Sequence, residues 1–116
     1  MADTDQTASD DDMSPMEEAC FQIIASVGTA KSNYIKAIQV AKDGKLDEAR
    51  KLVEEGNEAY LQGHEVHMGL LQEDAATIGS IHVSLLLVHS EDQLIQAETF
   101  RVIALDFIDL YERLDA

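Results

Sequence analysis

Tryptophan is absent from this chain of 116 residues, proline and cysteine occur once each, and only 8 Lys+Arg stand against 23 Asp+Glu. Each shortage excludes something. A sandwich or barrel of short strands needs frequent turn residues, so an all-β architecture is excluded. One cysteine cannot form an intramolecular disulfide and suits a reducing compartment. No run of about 18 uncharged apolar residues exists, so the chain has no membrane insertion segment. The N-terminus lacks the apolar stretch of a secretory signal. A net charge of −15 opposes a nucleic-acid backbone, which is bound by clustered Lys and Arg. The six glycines form neither GxGxxG nor a Walker pattern, and there is no HExxH or zinc-spaced Cys/His cluster. What is left is an acidic, cytoplasmic, helical protein.

The charge is uneven. The first 18 residues hold seven acids (Asp3, Asp5, Asp10, Asp11, Asp12, Glu17, Glu18) and no base, and the remainder nets −8. Residues 1–15 therefore read as an acidic disordered leader, more a solubilising segment than an interaction arm, followed by a helical domain over 16–116.

Three helices are written in that domain. Ser14-Pro15-Met16-Glu17 is a capping box with proline at the first helical position. Cys20, Ile23, Ile24, Val27, Ala30, Tyr34, Ile38 and Ala41 then recur at spacings of three and four. Gly44 is available for the left-handed position after the helix end. The second helix begins near Leu46 and carries Ala49, Leu52, Val53, Gly56, Ala59, Tyr60, Gly63, His67 and Leu70 on one stripe. Gly56 and Gly63 each cost about 1 kcal/mol relative to alanine, which close helix–helix approach would offset. A loop is expected over Glu73 to Ser80, with Ser80 capping a third helix from about Ile81 to Arg113. That helix is on the order of 50 Å long and apolar on more than one side. Val83, Leu86, Leu87, Ile95, Val102 and Phe107 cannot all share the stripe of Leu85, Val88, Ala97, Ile103 and Leu110. A three-helix hairpin leaves such a surplus uncovered, so self-association into a cyclic oligomer around helix three is expected.

Chemistry narrows to the histidines. Cys20 lies on the core face of helix one, with no adjacent His or Lys to activate it as a nucleophile, and reads as a packing residue. His64 and His67, three apart on helix two, form a metal half-site or, more simply, a half-buried polar pair near a helix end. His82 reads as solvated, in the first turn of helix three. His89 follows Leu85-Leu86-Leu87-Val88, with Asp92 one turn later. A neutral imidazole is a suitable phosphoryl acceptor, because its free nitrogen is nucleophilic near neutral pH. Periodicity alone leaves a satisfied core histidine equally open.

The run from Val83 to Leu94, VSLLLVHSEDQL, resembles the signature V-x-L-(L/M)-x-H-(A/G)-Q-D-H-L-M of the lactose/cellobiose (chitobiose)-type enzyme IIA of the bacterial phosphoenolpyruvate:sugar phosphotransferase system. Ile23 to Ser32 is similar to the opening I-I-x-x-x-G-x-A-(R/K)-S of that family. Ala41 to Ala49 resembles its A-x-x-G-(D/N)-(F/Y)-x-x-A turn, and Gly63-His64-Glu65-Val66-His67 falls where it has A-H-x-x-Q. Together these segments cover about residues 17–114 in order.

The resemblance implies an all-α fold: an antiparallel three-helix subunit that trimerises into a nine-helix bundle. It implies that His89 accepts a phosphoryl group through Nε2 from the phosphocarrier HPr and donates it to a cysteine of enzyme IIB. The outcome is uptake and phosphorylation of a β-linked disaccharide or similar sugar, with no direct sugar contact by this protein. Asp92 matches an aspartate that meets its symmetry mates on the threefold axis and binds Mg²⁺ or a similar divalent cation. Glu91 stands where the family has Gln, Gln93 replaces its second His, and His67 and Met68 replace Gln and Thr on helix two. Glu91, Gln93 and His67 are accordingly supporting positions. The substitutions also leave a second reading, a diverged non-catalytic interaction module that keeps the fold. A histidine phosphotransfer domain of two-component signalling would instead be a monomeric four-helix bundle.

Overall fold

The computed structural model describes residues 13–115, which form α1 (Pro15–Lys42), α2 (Leu46–Ala76) and α3 (Leu85–Asp115). Most of the expected acidic leader lies outside the described residues. Ser14 caps α1 as its sequence requires: its Oγ accepts from Glu17 N–H at 3.1 Å, and Glu17 Oε1 accepts from Ser14 N–H at 3.0 Å. Helix α1 thus begins at Pro15, the first helical position that the capping box sets.

The α1 end closes in a Schellman turn. Gly44 adopts φ +80, its N–H donates to the Ala41 carbonyl at 3.0 Å, and Lys45 N–H reaches the Val40 carbonyl at 3.1 Å. The chain then reverses, so α2 runs antiparallel to α1, and α3 runs back alongside both. The described residues form three helices, not the four of a histidine phosphotransfer domain. No helix among the described residues is long and apolar enough to cross a membrane.

Helix α1 is the central element and packs on both others. Cys20, Ile23, Val27, Ala30, Tyr34 and Ala37 are completely buried along it; Cys20 is a packing residue. Burying each Ile or Val side chain contributes about 1.5–3 kcal/mol. The glycines of α2 permit this closeness: a Cβ at Gly56 would lie 2.8 Å from Tyr34 Cε1, and one at Gly63 2.9 Å from Val27 Cγ1. Polar ties fix the register. Tyr34 Oη donates to Asn57 Oδ1 at 2.7 Å, Tyr60 Oη to Glu98 Oε2 at 2.9 Å, and Arg50 pairs with Glu112 at 2.7 Å.

Two boundaries differ from the sequence expectation. Helix α2 continues through Glu73 and Asp74 to Ala76 instead of ending at a loop from Glu73. Helix α3 starts at Leu85, because Ser84 and not Ser80 is its cap: Ser84 Oγ accepts from Leu87 N–H at 3.1 Å. Ile81, His82 and Val83 therefore lie in the connection. The core face of α3 takes only Leu87 and Ala97 from the two expected apolar sets. Leu87, Leu94, Ala97, Ala104 and Ile108 point inward, whereas Leu85, Val88, Ile95, Val102 and Leu110 are exposed.

Candidate functional site

The four histidines occupy four different settings. His64 is half-buried and stacks on Tyr60 with ring centroids 5.7 Å apart. His67 is nearly enclosed, with 13% of its side chain exposed, and its Nε2 lies 2.7 Å from Glu91 Oε1 on α3. The Nδ1 atoms of both rings are buried without a partner among the described residues. His64 and His67 therefore sit in separate settings, one stacked on Tyr60 and the other paired with Glu91. No group of three or more His, Cys, Asp or Glu side chains able to hold an ion occurs among the described residues of one chain. His82 is exposed in the α2–α3 connection.

His89 is the one exposed histidine carried on a helix. The start of α3 at Leu85 puts it in the second turn, close to the Ser84 cap that fixes this end. Rigid placement of an accessible imidazole suits a group that must be reached by other proteins.

Glu91 and His67 join α3 to α2, but not on the side from which His89 projects. Residues two apart on a helix diverge by about 200° and do not face one another. Within one chain, then, Glu91 is held at 2.7 Å by His67, and its carboxylate is turned away from His89 of the same subunit. Gln93 is half-buried and joins neither contact. The His67–Glu91 pair forms the polar end of a groove of about 250 Å³, whose apolar walls include Leu70, Leu71, Ile81 and Val83. Sequence reading named both residues as supporting positions but not their contact, which spans 24 residues of chain.

Asp92 is exposed, although Val88 and Ile95 flank it on the same outer face of α3. Gln96 Nε2 donates to Asp92 Oδ2 at 2.9 Å, while Gln96 Oε1 accepts from Lys31 Nζ of α1 at 2.8 Å. The Lys31 ammonium also sits over the Phe100 ring, 5.4 Å from its centroid. Lys31 and Gln96 are contacts that sequence reading missed; the spacing of Asp92 and Gln96 by one helical turn was the available signal.

Elsewhere, burial and the Glu98 hydrogen bond push the Tyr60 hydroxyl up to about 12. Burial also raises Tyr34, with Arg101 opposing. Both phenols act as neutral hydrogen-bond donors between helices, not as acid–base groups near neutral pH.

The sequence and fold agree with known proteins over nearly the whole domain. Residues 18–112 match the family described as PTS system, Lactose/Cellobiose specific IIA subunit. The lichenan-specific phosphotransferase enzyme IIA component of Bacillus subtilis is 35% identical over 85% of this chain and 89% of its own. The crystal structure of the cellobiose-specific enzyme IIA of Bacillus anthracis superposes with a TM-score of 0.84 at 36% identity, covering 92% of this chain and 97% of that one. The IIA(chitobiose) protein of Escherichia coli, solved in solution as a complex with HPr, gives a TM-score of 0.76 at 30% identity, over 90% of this chain and all of that one. On a match of this extent, in sequence and in three-helix architecture, the chain belongs to the lactose/cellobiose-specific enzyme IIA family and is a phosphotransferase component of the sugar phosphotransferase system.

Proposed function

We propose that His89 is the phosphoryl acceptor of this carrier, receiving the group from HPr and passing it to the cysteine of a cognate enzyme IIB in the cytoplasm, for uptake of a β-linked sugar. The observation that carries the assignment is accessibility. His64 and His67 are stacked or paired, whereas His89 is exposed on a rigid helix inside the segment that resembles the family signature. The imidazole nitrogen Nε2 attacks phosphorus as the bond to HPr breaks. The thiolate of enzyme IIB then takes the phosphoryl group as the N–P bond breaks, leaving the imidazole free. Such a transfer depends on positioning more than on an elaborate set of catalytic groups.

The working unit is a homotrimer. Leu85, Val88, Asp92, Ile95, Thr99 and Val102 follow one another at alternating steps of three and four residues, the repeat of a coiled-coil seam. All six are exposed, and the four apolar ones keep 50–85% of their surface. The seam supports packing of three α3 helices about one axis.

Asp92 is the charged member of that seam, and the residues present fit a shared cation. One chain offers a single carboxylate here, with Oδ2 engaged by Gln96, so an ion would be held by Asp92 from each of three copies. Oxygen donors suit a hard ion such as Mg²⁺. Bound there, it would offset like charges that an apolar seam otherwise repels.

Incubation with phosphoenolpyruvate, enzyme I and HPr should add one acid-labile phosphate per chain. The label should vanish in His89→Ala, persist in His67→Ala, and chase onto enzyme IIB. Label surviving in His89→Ala would sink the assignment.

A further inference from the structure

We propose that Lys31 and Gln96 are positioning residues for Asp92, forming a relay from α1 that orients its carboxylate toward the cation in the assembled protein. The inference rests on the cation reading above and adds residues to it. A glutamine amide has one accepting and one donating end, and which end faces Asp92 is decided by its other neighbour. Lys31 Nζ has only donors, so at 2.8 Å it claims the Gln96 oxygen. The amide nitrogen is thereby aimed at Asp92 Oδ2, 2.9 Å away. Without Lys31 the amide is free to flip and present oxygen to a carboxylate.

Lys31 is itself fixed. Its Nζ lies over the Phe100 ring at 5.4 Å, and its stem is half-buried between α1 and α3. The orientation of an exposed aspartate on the outer face of α3 is thus set from α1, the helix that packs on both others. The relay does two things. It fixes the Asp92 carboxylate through Oδ2 and leaves Oδ1 for a further ligand. It also places the Lys31 ammonium one residue removed from the Asp92 carboxylate. Hydrogen bonds of this kind behind a metal ligand typically change affinity by about 10–100-fold.

The test is a magnesium chloride titration of the full chain, read by thermal midpoint and assembled mass. Wild type should show a saturable Mg²⁺-dependent rise in stability, which Asp92→Asn abolishes. Gln96→Leu and Lys31→Met should move the titration midpoint about tenfold higher while leaving the metal-free melting temperature nearly unchanged. Lys31→Arg, which retains donors only, should titrate close to wild type. If Gln96→Leu and Lys31→Met titrate like wild type, the relay is overturned and the cation reading stands. A wild type that ignores Mg²⁺ in both readouts overturns both.

Discussion

Helix α3 has two apolar faces built from different kinds of residue. Toward α1 it presents Ser90, Ala97 and Ala104 with Leu87, Leu94 and Ile108 between them, all buried. Away from α1 it presents Leu85, Val88, Ile95, Val102 and Leu110, all exposed. The inner face thus mixes small residues with large ones, whereas the outer face is built of large branched residues throughout. Small residues face inward because α1 comes close, and close-packed helices need little side-chain volume. The outer face has volume to fill a wider space that its own chain does not fill. The inner face specifies the fold of one chain, and the outer face is the one the proposed homotrimer would bury.

Adjacent residues give the sharpest way to break this division. Leu94 retains 5% of its surface and Ile95 retains 60%. Leu94→Asp places an unpaired charge in the core, with no hydrogen-bond partner to compensate it, and should abolish the helical circular dichroism signal. Ile95→Asp should leave that signal intact but reduce the sedimenting mass to a single subunit. The milder Leu94→Ala should cost about 2–5 kcal/mol of stability. If Ile95→Asp unfolds the chain as Leu94→Asp does, the outer face belongs to the fold and the division fails.

How much of this was legible follows from the range of each signal. The Ser14 capping box and the Gly44 turn are written in four to six consecutive residues, and both occur as read. The close approach at Gly56 and Gly63 was legible because glycine on an apolar stripe weakens its helix unless a neighbouring helix comes close enough to compensate. The start of α3 was not. Ser80 and Ser84 each precede apolar residues, and local pattern cannot rank them; only the Ser84–Leu87 bond distinguishes the cap. The inner face of α3 was hidden for a related reason. The sequence offered two apolar sets with nothing to rank them, whereas the inner face takes Leu87 from one, Ala97 from the other, and Leu94, Ala104 and Ile108 from neither. At the site, His89 and Asp92 were visible as residues, but the pairs His67–Glu91 and Lys31–Gln96 join positions far apart in sequence. Such contacts depend on helix register, which no short motif encodes.

The glycines carry the same inside-and-outside contrast with a smaller effect. A Cβ at Gly63 would meet Val27 Cγ1 at 2.9 Å and the Ile23 carbonyl oxygen at 3.4 Å, whereas a Cβ at Gly69 meets nothing within 4 Å. Gly63→Ala should therefore destabilise by about 1–3 kcal/mol through overpacking. Gly69→Ala, in the same helix, should stabilise by about 0.5–1 kcal/mol, the ordinary helix-interior gain over glycine. Chemical denaturation of the two variants checks both signs. Destabilisation by Gly69→Ala would show that the outer side of α2 is as closely packed as the inner.

The smallest expected effect lies at the seam between α2 and α3, where Tyr60 donates to Glu98. Burial, and then the hydrogen bond to Glu98, hold the Tyr60 hydroxyl near 12 against an ordinary value of 10. Folding thus favours the protonated phenol. Its contribution to stability is complete below pH 10 and is lost as pH rises through about 12. Tyr60→Phe removes the donor and the titration together. The variant should be slightly less stable at pH 8, where Glu98 loses its partner, and should lose less stability than wild type between pH 10 and pH 12. Thermal midpoints across that window separate the outcomes. An alkaline limb as steep in Tyr60→Phe as in wild type would assign it to Tyr34, whose hydroxyl is also raised by burial. The pH-sensitive contact would then be the α1–α2 bond between Tyr34 and Asn57, inside the core, rather than the more open α2–α3 seam.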